Sequence, residues 1–206
     1  ALICAQRSNA MITAVEIDKS AAEQAAENAE ASPWKNRITV IHSSLEDFAA
    51  SADQRFDAIV SNPPYFENSY KAKGDRRNLA RHADTLPLDE LVRHASSLLA
   101  NEGSFSCILP AQEEFSFEER ARSTGLFLWR KTLVLPREDT EPKRVLFEFS
   151  KRPCDAAVSA ITILKKESNE VAPDGSNLWI LDERLAFHDY LASDLPFSKM
   201  SPFESD

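Results

Sequence analysis

Glycine is scarce in this chain of 206 residues: only Gly74, Gly103, Gly125 and Gly175 occur, and none stands in a G-x-G arrangement. A loop of that kind lets main chain approach a phosphate or sugar with no Cβ in the way, so these residues contain no such cradle. Cysteine is equally sparse. Cys4, Cys107 and Cys154 are odd in number and lack metal-ligand spacing, and they are expected to be buried free thiols of a reducing compartment. His42, His82, His94 and His188 show no paired ligand spacing, so no metal is expected. No apolar run approaches the roughly 20 residues of a membrane span, and no charged-then-apolar leader of signal type is seen. No internal repeat stands out. What is present is 43% hydrophobic residue, enough for one compact core.

Helical and strand patterns alternate along the chain. An alanine- and glutamate-rich helix is expected over 19–32, stopped by Pro33, and a strand over 37–42. A strand over Phe56–Ser61 follows, then a helix over 87–100 with Leu88, Leu91, Val92, Ala95, Leu98 and Leu99 at helical spacing. A strand over 104–109, a helix over 113–124 and a strand over 127–135 continue the alternation, which argues for a parallel sheet covered on both faces. The runs 143–150 and 157–164 have no helical pattern between them and are expected to pair antiparallel near the sheet edge. A polar loop over 169–176, a short helix over 179–191 and a mobile end over 193–206 complete the expectation.

The richest stretch is Asn62-Pro63-Pro64-Tyr65, placed directly after the strand FDAIVS. The carboxyl end of such a strand is where α/β sheets bind ligands. Two successive prolines have fixed φ and no amide donor, so this corner accepts hydrogen bonds and hardly gives them. An amino group placed there meets the Asn62 side-chain oxygen and a carbonyl near Pro63. Both hold it more tightly as its nitrogen loses conjugation, which is differential stabilisation of a reacting amine. Tyr65 adds a flat face for a planar base or amide. A second stretch, MITAVEID over 11–18, ends in carboxylates and opens the alanine-rich helix. Strand, acid, helix is the arrangement in which a carboxylate accepts both hydroxyls of a ribose. Glu16 is the expected acceptor, Ile17 the contact for an adenine ring, and Asp18 the cap of the helix.

AVEID followed by SNPPY resembles the class I S-adenosylmethionine-dependent methyltransferases that modify exocyclic amines. The run SNPPYF, Ala80-Arg81-His82, the strand SFSCILP and the segment PREDTEPKRVLFEFSK are most similar to the bacterial valine-tRNA adenine-N6 methyltransferases. The resemblance covers about residues 1–190. It implies an α/β, Rossmann-like, doubly wound and mostly parallel sheet with an antiparallel edge hairpin, S-adenosylmethionine as cofactor, and a tRNA adenine beside the anticodon as acceptor. It further implies a single methyltransferase domain over 1–192, working in the cytoplasm, with 193–206 as tail. Asn62, Pro63 and Tyr65 would be catalytic, and Glu16, Ile17, Ser44, Leu45 and Asn62 would bind cofactor. Ser44 stands where the family leads one to expect an aspartate on the adenine amine. The family's glycine-rich loop is absent here, and residues 1–7 resemble the remainder of the helix that follows it, as though the amino-terminal part were missing. These 206 residues are therefore expected to hold the cofactor poorly.

A net charge of −9 opposes an RNA acceptor on average. The segment 66–82 counters this with Lys71, Lys73, Arg76, Arg77 and Arg81 against Glu67 and Asp75, a local +3 that leaves −12 for the remainder. Those five cations and His82 are the expected nucleic-acid contacts, and Arg137, Lys143 and Arg144 form a second basic group. Two other enzyme readings use the same corner, a release-factor glutamine or a DNA adenine as acceptor. A non-catalytic binding module is the alternative from another class.

Overall fold

The structure is a computed structural model that describes residues 1–63, 86–171 and 177–181. Two compact units divide the chain, one built on Ala1–Ala52 and the other on Asp53–Ala186.

In the first unit, helix α1 (Leu2–Arg7) leads into strand β1 (Ile12–Glu16), helix α2 (Lys19–Glu30), strand β2 (Ile38–His42) and helix α3 (Leu45–Ser51). β1 and β2 pair in parallel, from Ile12 opposite Ile38 to Glu16 opposite His42. Such a pair needs a crossover, and α2 supplies it. Asp18 caps α2 as expected: its carboxylate accepts the Ala21 amide at 2.8 Å and the Ser20 hydroxyl at 2.9 Å, and these bonds lower its pKa. Arg37 fastens the start of the unit. Its guanidinium donates to the carbonyls of Ala5 at 2.7 Å, Ser8 at 2.7 Å and Ala10 at 3.1 Å, satisfying an acceptor in the last turn of α1 and two in the segment that follows it.

The second unit holds strand β3 (Phe56–Ser61), helix α4 (Leu88–Leu98), strand β4 (Leu99–Pro110), helix α5 (Glu114–Ser123), then strands β5 (Phe127–Arg137), β6 (Arg144–Ser150), β7 (Ala157–Val171) and β8 (Asn177–Leu181). The strands form one mixed sheet in the order β3-β4-β6-β5-β7-β8. Its core is aromatic. Phe117 of α5 packs on Phe147 and Phe149 of β6 at centroid distances of 5.6 and 5.8 Å, and Phe149 lies 6.1 Å from Phe105 of β4. Burying each ring stabilises by roughly 2–3 kcal/mol. Gly125 adopts φ 81° just past α5. Its amide reaches the Arg122 carbonyl and the Leu126 amide the Ala121 carbonyl, a Schellman ending with Leu126 buried beneath it.

The Rossmann-like α/β class holds, but the position of the antiparallel strands differs from the sequence expectation. Segments 143–150 and 157–164 do not pair with each other. β6 inserts between β4 and β5, antiparallel to both, while β7 runs parallel to β5. The antiparallel pair at the sheet edge is instead β7 with β8. The physical reason lies in Val145-Leu146-Phe147-Glu148-Phe149, buried at every position: a strand covered on both faces belongs in the interior. Trp179–Leu181 belongs to β8 and not to a helix, Asn169–Val171 to β7 and not to a loop, and β4 begins at Leu99. The expected tail over 193–206 lies outside the described residues. All three cysteines are free, yet only Cys107 is buried, which pushes its thiol pKa well up; Cys4 is half-buried and Cys154 exposed.

Candidate active site

In the first unit the parallel pairing carries Glu16 and His42 to the same strand end, so the residues that follow each of them emerge together. Glu16 is half-buried, and its Oε1 accepts the Asp18 amide at 2.9 Å. Ile17, the expected adenine contact, is 55% exposed. On the neighbouring strand, the Ser43 amide donates to the Glu16 carbonyl at 3.0 Å. Ser44 caps α3. Its hydroxyl donates to Asp47 Oδ2 at 2.7 Å and accepts the Asp47 amide at 3.0 Å, with Leu45 half-buried as the first helical residue. The hydroxyl proton is thereby committed, and the lone pair that remains on Ser44 Oγ can only accept, which suits an amine donor. Sequence reasoning missed the reciprocal role of Asp47. The spacing S-x-x-D before an amphipathic run is the signal that reveals it.

In the second unit, β3 runs parallel to β4 with Ser61 opposite Cys107, so Asn62 and Pro63 leave the sheet at the carboxyl end of both strands. Asn62 is exposed and Pro63 buried. Pro110 stands opposite Arg144, and the Ala111 amide donates to the Lys143 carbonyl at 3.2 Å. The turn between β5 and β6, with its basic group of Arg137, Lys143 and Arg144, therefore sits at the same end of this sheet as the Asn62-Pro63 corner. Tyr65, Lys71, Lys73, Arg76, Arg77, Arg81 and His82 lie outside the described residues. Among the described residues no cluster of three or more metal-ligating side chains occurs, and no helix is long and apolar enough to cross a membrane.

The sequence pattern of a family described as RMKL-like, methyltransferase domain, matches residues 2–126. A tRNA1(Val) (adenine(37)-N6)-methyltransferase of Parabacteroides distasonis is 41% identical over 84% of this chain and 73% of its own length. One of the same name from Phocaeicola vulgatus is 47% identical over 74% of this chain and 65% of its own length. The chain belongs to this methyltransferase family. It spans 65–73% of the length of these two relatives. The fold agrees: a predicted O-methyltransferase from Agrobacterium tumefaciens superimposes with a TM-score of 0.56 at 19% identity, covering 80% of this chain and 74% of that one. Family membership makes S-adenosylmethionine the cofactor to test against the residues. The strand-end acid Glu16 and the exposed Ile17 fit its ribose and adenine, whereas nothing in the chain has the G-x-G pattern that would cradle its methionine end.

Proposed function

We propose that this protein methylates the exocyclic amine of an adenine next to the anticodon of a tRNA, with S-adenosylmethionine as methyl donor, in the cytoplasm. The observation that carries the reading is an exposed Asn62 on a buried Pro63 at the carboxyl end of β3, in a chain of this family. When bound, the cofactor supplies an electrophilic methyl group on sulfur. Glu16 accepts the ribose hydroxyls, Ile17 and Leu45 flank the adenine ring, and Ser44 Oγ accepts from its amine. The Asn62 side-chain oxygen and the Pro63 carbonyl would accept hydrogen bonds from the target amine and hold it best as its nitrogen pyramidalises and its lone pair becomes available to take the methyl group from sulfur, the alkylated nitrogen then losing its proton to solvent. Tyr65 stacks on the flipped-out base. Lys71, Lys73, Arg76, Arg77, Arg81 and His82 hold RNA phosphates, assisted by the basic turn after β5.

Asn62→Ala is expected to lower kcat by about 100-fold or more while leaving cofactor affinity within about twofold. Labelled-cofactor turnover on total tRNA, with a release factor and duplex DNA as parallel acceptors, checks this and the acceptor class together. Methyl transfer to release factor or DNA in place of tRNA overturns the tRNA assignment, and equal loss of affinity and turnover overturns the role given to Asn62.

A further inference from the structure

Resting on the cofactor reading above, we infer that His42 is a positioning residue for the adenine end of the cofactor, acting by holding the Ile17 peptide so that the Ile17 side chain stands out from the strand end. His42 is the last residue of β2 and faces Glu16 across the parallel ladder. Its Nε2 lies 3.1 Å from the Ile17 carbonyl oxygen. A carbonyl can only accept, so Nε2 carries the proton and donates, which selects one tautomer of the neutral ring.

This bond extends the tie between the two strands one residue beyond their last paired position. The turn it reaches is held from other directions as well. The Glu16 carbonyl accepts from the Ser43 amide at 3.0 Å, the Asp18 amide is taken by Glu16 Oε1 at 2.9 Å, and the Asp18 carbonyl accepts the Ala22 amide at 2.9 Å as the first turn of α2. Within this set the Ile17 carbonyl is anchored by the imidazole. What the anchoring presents is a branched apolar side chain that remains 55% exposed. A solitary exposed isoleucine is unremarkable. One fixed beside a strand-end carboxylate is a preformed ledge for a flat ring, and its rigidity removes an ordering cost from binding.

The test uses the 206-residue protein labelled with 15N. Ring-nitrogen NMR of the ligand-free protein is expected to show His42 protonated at Nε2. Titration with S-adenosylhomocysteine, followed by NMR so that millimolar affinities remain measurable, is expected to show His42→Ala binding about fivefold to tenfold more weakly. His42→Gln, which keeps a donor at similar reach, is expected to recover affinity to within about twofold, with the melting temperatures of all three proteins alike. An Nδ1-protonated ring, or unchanged affinity in His42→Ala, overturns the role of His42 while leaving the cofactor reading intact. Failure of the unsubstituted protein to bind even at millimolar ligand defeats the placement of Glu16 and Ile17 against the cofactor and the inference with it.

Discussion

Glu148 shows what a single residue can cost and contribute within this fold. It sits on interior strand β6 with its side chain fully buried, and Arg130 Nε approaches Oε2 at 3.3 Å. Neither carboxylate oxygen accepts a hydrogen bond among the described residues. Burial raises its pKa above the ordinary 4.5, and the Arg130 charge offsets only part of that rise. A raised carboxyl pKa means that the folded protein binds the proton more tightly than the unfolded chain does. The contribution is fully present below pH 4.5 and is lost as pH climbs through the elevated folded value. Urea unfolding across this range should therefore show native stability declining with pH, and Glu148→Gln should remove that part of the decline because an amide does not titrate. Identical pH profiles for the two proteins would exclude Glu148 as the cause. At the same scale, the cap that Asp18 gives α2 and the strand-end positions of Glu16 and Asn62 were legible from residue chemistry and chain position. The imidazole bond of His42 was not, because it joins residues 25 apart in sequence.

Among the elements, the β3–β4 pair matters most, since it sets where Asn62 and Pro63 emerge. The pairing shifts register between Phe56 and Ala58, and Gly103 lies opposite the shift. A Cβ on Gly103 would meet the Phe56 and Asp57 carbonyl oxygens at 2.9 and 3.0 Å, both fixed main-chain atoms. Gly103→Ala is expected to destabilise the protein by about 1–3 kcal/mol, measured by urea unfolding, because the strands must move apart. A stability within about 0.5 kcal/mol of the parent would show that the ladder yields at no cost. Helices α2, α4 and α5 follow their sequence patterns to within two residues, since amphipathic spacing and caps are local properties. Strand β8 and the extension of β7 had no such local signal. The polar run 165–170 gives no period-2 alternation, and the strand it forms is visible only through its partners.

Across the molecule, charge decides which part of a polyanion can approach. With −9 overall and +3 confined to 66–82, RNA affinity should depend on that segment and on salt. Five phosphate contacts to a single-stranded loop predict a slope of log K against log salt of about −3 to −4. The double substitution of Lys71 and Lys73 by Gln should lower its magnitude by about 1.4, with little change in preference among tRNAs. Filter binding between low and moderate salt measures this, and an unchanged slope would place the phosphates elsewhere on the surface.

By itself the amino-acid sequence determined the alternation of helices and strands, the acidic end of β1, the donor-poor Asn62-Pro63-Pro64 corner and the shortage of glycine, because these depend on local spacing and on the chemistry of neighbouring residues. The tertiary structure alone decided that β6 lies between β4 and β5, that Arg130 faces Glu148, and that His42 holds Ile17. Those outcomes depend on which distant surfaces bury each other, and hydrophobic burial has no direction along the chain that a local pattern could record.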